Sequence, residues 1–126
     1  MEKFTNIFRA LSDKTRIRIL YLLLNVKKEL CICEIMDSLK LAQYNVSKHI
    51  RELKLVGIVK ERKEGRFVFY SIIKPKTGFV RNLLKTVKSI PKDDFVNDNL
   101  RLKKRLSLRK NGKIAVGCLT NRRKCK

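Results

Sequence analysis

The sequence predicts an α+β fold that is mainly α: a winged helix-turn-helix of five helices and a β-hairpin wing, followed by a basic C-terminal tail. Three observations predict it. Apolar residues recur at helical spacing in five segments, two β-rich runs flank a glycine-containing turn, and two short helices joined by about three residues precede that hairpin. We expect residues 1–90 to form the domain and residues 91–126 to form a partly helical tail.

Two helices are predicted before the helix-turn-helix. The first is short, and the second begins near Ser12, a residue type that caps helix N-termini. Each has one apolar face that would be buried in the core. The residues on these faces are Phe4, Ile7, Phe8 and Leu11 in the first helix and Ile17, Leu20 and Leu24 in the second.

The third and fourth helices, Cys31–Leu39 and Gln43–Leu55, form the predicted helix-turn-helix. The fourth has two distinct faces, and Val46, Ile50 and Leu53 mark the buried one. Amide and guanidinium groups on the other face can bond to base edges, whereas hydroxyl and ammonium groups reach phosphates. The predicted DNA-contacting residues of this helix are Gln43, Tyr44, Ser47, Lys48 and Arg51.

The hairpin and a fifth helix complete the predicted domain. Gly57 ends the fourth helix, and the strands Ile58–Arg62 and Phe67–Ile72 then follow, joined across residues 63–66. Arg62, Lys63 and Arg66 surround the hairpin tip, where a wing can reach the DNA backbone. The fifth helix lies within residues 77–89, and a further helix in the tail begins at Asp93 or Asp94.

The charge of the chain indicates a polyanionic partner. It has 32 Lys and Arg against 11 Asp and Glu, a formal net charge of +21. Residues 92–126 hold 12 of the basic and 3 of the acidic residues, so +9 of that charge lies in the tail. A charge this large attracts nucleic acid at long range.

Other classes of protein fit the composition poorly. With one His and no glycine-rich phosphate loop, the chain has little from which to build an active site, so we do not expect an enzyme. The longest apolar run, Ile19–Leu24, is far too short to span a bilayer. Residues 1–14 alternate polar and apolar types and do not resemble a secretion signal. We therefore expect a cytoplasmic protein without a membrane partner.

Cys31 and Cys33 lie two residues apart at the predicted start of the third helix, off its apolar stripe. Thiolates are the ligands that arsenic(III), antimony(III) and cadmium(II) prefer. A helix N-terminus lowers thiol pKa values, so we expect reactive thiols here. Residues two apart on a regular helix point about 200° from each other, so chelation of one ion would reshape the first turn. Two buried, inert thiols are the alternative.

From Leu11 onward the chain resembles the ArsR/SmtB family of winged-helix repressors. The motifs are LSDKTRIRIL (Leu11–Leu20), ELCICEI (Glu29–Ile35), similar to the metalloid-sensing motif of arsenite-responsive members, and the recognition helix and wing at Leu41–Ile72. The resemblance implies a homodimer, paired through the first and fifth helices, that leaves its operator when an inducer binds. It also implies the DNA contacts named above, except Arg51, and adds His49, which matches a common residue of that helix.

The resemblance is incomplete at the inducer site. Some members have a third cysteine where this chain has Met36, so a third sulfur would come from Cys118 or Cys125 in the tail. The His and carboxylate sensor site that other members carry on the fifth helix is absent, since residues 77–89 contain no His, Asp or Glu. No cofactor is expected besides an inducer, arsenic(III) above antimony(III) or cadmium(II).

Three interpretations of function remain open. The first is a dimeric repressor of transcription that arsenite or another thiophilic ion releases from double-stranded operator DNA. The second is the same repressor with a redox or other trigger. The third is a basic structural RNA-binding protein, against which the separated faces of the fourth helix count, because such a protein needs no polar face of the width of a DNA groove.

Overall fold

The computed structural model describes residues 1–26, 29–110 and 112–114. Its five N-terminal helices are α1 (Glu2–Leu11), α2 (Lys14–Val26), α3 (Ile32–Leu39), α4 (Gln43–Leu55) and α5 (Gly78–Lys88). Its strands are β1 (Leu30–Cys31), β2 (Val59–Glu64) and β3 (Phe67–Ile72). A 3-10 turn (Lys92–Phe95) leads into α6 (Val96–Leu106). The winged helix-turn-helix prediction is confirmed.

The second helix, α2, forms the centre of the core. Five consecutive residues, Ile19 to Leu23, are buried because α2 contacts α1, α3, α4, α5 and α6. The helix begins later than predicted: the Asp13 carboxylate, and not Ser12, accepts the Arg16 N–H of its first turn (3.1 Å). Ser12 instead donates its hydroxyl to the Phe8 carbonyl at the end of α1.

The α3–α4 pair has the geometry predicted for a helix-turn-helix. Lys40 ends α3 in the left-handed conformation (φ 54°), which turns the chain sharply toward α4. The buried face of α4 is the predicted one, with Val46, Ile50 and Leu53 each at most 2% exposed. Gly57 follows α4 with φ 76°, a conformation that is strained for residues with a Cβ.

The wing belongs to a three-stranded antiparallel sheet with the order β1-β3-β2. The hairpin pairs Val59 with Ile72 and Glu64 with Phe67, and Gly65 (φ 59°) makes the turn. The short strand β1, which the sequence did not predict, pairs Cys31 with Phe69. The chain therefore passes from the wing sheet directly into α3.

The described part of the tail packs onto the domain. The Phe95 ring stacks on that of Tyr21 at 3.8 Å between centroids, and Leu102 is 5% exposed. α6 lies mainly against α3 and also contacts α2. Helix in the tail was predicted; the division at residue 90 stays a prediction. None of the helices in the described part of the chain is long and apolar enough to cross a membrane.

We predict that α6 contributes to the stability of the fold through its inner face. Leu102→Ala should lower the free energy of unfolding by about 2–5 kcal/mol, because it leaves a cavity in a closed interface. The matched control is Leu100→Ala on the same helix, where the side chain is 62% exposed, and its effect should stay within about 0.5 kcal/mol. Urea unfolding of both variants checks this, and equal effects would mean that α6 does not pack on α3 in solution.

Candidate DNA interface and thiol site

The outer face of α4 carries residues predicted to contact DNA. Tyr44 is 75% exposed, and the Lys48 ammonium lies 5.9 Å from the centroid of its ring. Arg51 is also exposed, while Gln43 and Ser47 are half-buried at the start of the helix. These polar groups lie together at the N-terminal half of α4, the part of a recognition helix that enters the major groove.

His49 lies on a different side of α4 and bonds within the protein. Its Nδ1 accepts a hydrogen bond from Arg16 Nε (3.1 Å) and lies 3.8 Å from an Asp13 carboxylate oxygen. Burial is the main cause that lowers the pKa of His49, which favours the neutral form that accepts this bond. The side chain is 12% exposed, so its geometry favours a role in positioning α4 against α2. The DNA contact of His49 stays a prediction.

The wing residues fall into two groups. Arg66 is exposed in the hairpin turn, and Lys63 is exposed near the end of β2, where it pairs with Val68; both positions suit a backbone contact. Arg62 instead makes a forked ion pair with Glu29 (2.8–3.0 Å), bonds to Glu64 and lies 4.9 Å over the Phe69 ring. The hydrogen bonds to these carboxylates raise the pKa of Arg62. Arg62 thus joins the wing to the segment before β1, and contact with DNA would compete with that pair.

The cysteine pair does not lie on a regular helix. Cys31 is the last residue of β1 and the N-cap of α3, with extended backbone (φ −80°, ψ 164°), and Cys33 lies in the first helical turn. The 200° argument therefore does not apply, because only Cys33 is helical. Both residues are fully buried, contrary to what their position off the apolar stripe indicated, because β3 and α6 cover this end of α3.

The expectation of a lowered thiol pKa is wrong for Cys31. Burial, with a further contribution from the Glu34 carboxylate, raises the pKa of Cys31 to about 11, and these effects outweigh the N–H groups at the helix start. Cys33 is disulfide-bonded, whereas Cys31 keeps its thiol. Cys118 and Cys125, the predicted third ligands, lie outside the described residues. Within the described ranges no cluster of three or more His, Cys, Asp or Glu side chains could hold a metal ion.

Sequence reasoning missed the group at the centre of this region, the Glu34 carboxylate. It has no exposed surface, and its Oε1 accepts the Cys31 N–H at 3.0 Å. The Cys31 sulfur accepts the Glu34 N–H in return, which completes a capping box. Arg109 makes a forked ion pair with the same carboxylate, at 2.6 Å for each bond. The sequence signal was a Glu three residues after Cys31, the spacing of a capping box. It is easy to miss, because the first residue of a capping box is usually Ser or Thr.

Comparison with known proteins identifies residues 13–61 as a match to the family described as bacterial regulatory protein, arsR family. An HTH-type transcriptional regulator of Methanocaldococcus jannaschii is 42% identical over 71% of this chain and 96% of its own length. The arsenic resistance transcriptional regulator ArsR1 of Pseudomonas putida is 34% identical over 76% of this chain and 74% of its own. A CadC homologue of Staphylococcus aureus, a cadmium resistance transcriptional regulatory protein, is 44% identical over 52% of this chain and 54% of its own length.

The fold has solved relatives as well. Reduced HlyU from Vibrio cholerae superimposes with a TM-score of 0.58 at 29% identity, over 68% of this chain and 85% of that one. These findings agree with the winged helix predicted from the sequence and with transcriptional regulation in place of catalysis.

We predict different roles for α4 and the wing tip in DNA binding. Gln43→Ala should reduce discrimination between operator and random DNA by about 1–3 kcal/mol, because a base contact is lost. Arg66→Ala should weaken binding to all sequences alike and reduce the log–log salt slope by about 0.9, the value for one phosphate contact. Titrations of both DNAs at several salt concentrations test this. If Gln43→Ala lowered the two affinities in parallel, Gln43 would not contact a base.

Proposed function

The chain belongs to the arsR family of bacterial regulatory proteins, DNA-binding regulators of transcription and not enzymes, and from this membership we propose that it is a dimeric repressor that arsenite releases from its operator. Antimony(III) and cadmium(II) suit the same thiols. It would act in the cytoplasm, on double-stranded DNA. The relatives are named as transcriptional regulators, which favours this function over that of a basic structural RNA-binding protein.

The observation that carries the proposal is the place of the cysteine pair. Cys31 belongs at once to the wing sheet, through its pairing with Phe69, and to α3, as its N-cap. The helix it starts packs against the recognition helix α4. An ion bound by the Cys31 and Cys33 sulfurs would therefore displace β1 and the start of α3 at the same time. Such a displacement changes the relative position of wing and recognition helix, on which the fit to DNA depends.

Binding of the ion has two requirements. Cys33 must be reduced, because a disulfide sulfur cannot ligate arsenic. The first turn of α3 must also open, since both sulfurs are buried. A third sulfur from Cys118 or Cys125 of either subunit would complete a three-thiolate site. The need to open a packed turn is what would turn ion binding into a change of DNA affinity.

We expect arsenite to lower the operator affinity of the reduced protein by roughly 5- to 150-fold, the usual range for coupled sites. Cys31→Ser and Cys33→Ser should each keep DNA binding but lose this response, because one chelating thiol is gone. Fluorescence anisotropy of labelled operator measures the affinity, with arsenite, antimonite, cadmium and zinc compared as inducers. Cys118→Ser and Cys125→Ser are the matched variants, and loss of the response in one of them identifies the third ligand.

One outcome would rule out sensing by this pair: release of DNA by arsenite from the Cys31→Ser/Cys33→Ser double variant. A redox trigger is the second candidate, and the disulfide at Cys33 favours it. Hydrogen peroxide, which oxidises two thiols to a disulfide and is reduced to water, would then release the operator without any metalloid. Parallel titrations with peroxide and arsenite separate the two triggers.

The proposed dimer has a candidate surface on α1 and α5. Phe4 and Phe8 are 38% and 52% exposed, and both rings meet the Phe79 ring edge-on, at 4.9 and 5.4 Å between centroids. Aromatic side chains left open in one copy would be covered by the same surface of a second copy in a twofold dimer. Continuity of this surface across two helices supports a second copy as the occupant.

We expect the protein to sediment as a dimer at micromolar concentration and Phe8→Lys to shift it to monomer, because a charge is placed in an apolar contact. Leu55→Lys is the control, since Leu55 is 73% exposed at the end of α4, away from that surface. Sedimentation velocity measures both. A wild-type monomer that still binds a single half-site would contradict the proposed dimer.

A further inference from the structure

Three arginines of the C-terminal segment contact α3 in a row. Arg101 Nε donates to the Ser38 carbonyl at 2.7 Å, and Arg105 Nε donates to the Asp37 carboxylate at 2.8 Å. Arg109 forms its fork with Glu34. The arginines are four residues apart, so they lie along one side of the segment, and their partners run from the end of α3 to its beginning. The chain from α6 to Arg109 therefore runs antiparallel to α3.

Arg109 is the member of this row that joins separate parts of the chain. Its Nη2 also donates to the Glu29 carbonyl at 2.8 Å. The Glu29 carboxylate in turn holds Arg62 of β2, and Oε1 of Glu34 holds the Cys31 N–H. One guanidinium thus fixes the residue before β1, the first turn of α3 and, through Glu29, the wing.

Burial makes these contacts consequential. The Glu34 side chain is fully buried and that of Arg109 is 13% exposed, while Asp37 and Arg105 are 8% and 2% exposed. Removal of one partner from a buried ion pair leaves a charge without compensation, which costs far more than loss of a surface pair. The hydrogen bonds from Arg109 to Glu34 raise the pKa of that arginine, in agreement with a tight pair.

We propose that Arg109 is a positioning residue for DNA binding: docked on Glu34 and Glu29, it holds α3, β1 and the wing in the arrangement that fits the operator, without touching DNA itself. The inference requires only DNA binding, and it holds whether or not arsenite is the inducer. It gives the segment after α6 a role in setting operator affinity that its positive charge alone would not give.

The test compares Arg109→Gln with Lys104→Gln, which removes the same charge from an exposed position on α6. Arg109→Gln should weaken operator binding roughly 5- to 150-fold with an unchanged salt slope, because no phosphate contact is lost. Lys104→Gln should stay within about twofold. A fall of about 0.9 in the salt slope of Arg109→Gln would show a phosphate contact, and unchanged affinity would show no role; either result overturns the proposal.

A second variant keeps the test valid if Arg109→Gln unfolds. Glu34→Gln/Arg109→Gln removes both charges and keeps a side-chain oxygen for the Cys31 N–H. Its operator affinity should lie closer to wild type than that of Arg109→Gln, because no unpaired charge stays buried. Hydrogen exchange at residues 30–34 should be faster in Arg109→Gln than in Lys104→Gln and slower again in the double variant. A double variant whose operator affinity is no closer to wild type than that of Arg109→Gln, or no change in exchange at these amides, would overturn the proposal.

Discussion

The Glu34 carboxylate lies without exposed surface between the Cys31 N–H and the Arg109 guanidinium. A carboxylate cannot be moved from water into such a place unless its charge is compensated and its oxygens are bonded. The start of α3, the end of β1 and Arg109 must therefore come together in the same step. Otherwise the charge of Glu34 is buried without compensation. This requirement fixes where α3 begins, and α4 follows α3 through a turn of only three residues.

The recognition helix and the wing were predictable because their signals are local. Val46, Ile50 and Leu53 repeat at helical spacing on one face of a single helix, and burial of that face needs no knowledge of distant segments. Gly57 and Gly65 each have a positive φ, and glycine is the residue type that adopts such a conformation most readily. The polar face of α4 followed from the same periodicity, so its candidate residues were found with it.

The environment of the thiols was not predictable, because it depends on contacts far apart in the chain. Cys33 and Glu34 lie off the apolar stripe of α3, and nothing near them indicates that a helix beginning some 60 residues later covers that side. The prediction of a reactive Cys31 considered only the helix N-terminus. Desolvation by β3 and α6 acts in the opposite direction and is the larger effect, so the pKa rises. Strand β1 is too short to show any alternation.

The stretch from Glu29 to Cys31 links the candidate thiol site to the predicted DNA-binding surface. Leu30 and Cys31 pair with β3, and the Glu29 carboxylate holds Arg62 of β2. Cys31 is both a candidate ligand and the N-cap of α3. Packed interiors change between discrete arrangements and do not deform continuously. A ligand that moves Cys31 by a small distance therefore cannot shift α3 alone, because the wing is attached to the same three residues. In the proposed mechanism both predicted DNA-contacting elements therefore change together, and a site that touches no DNA governs binding to it.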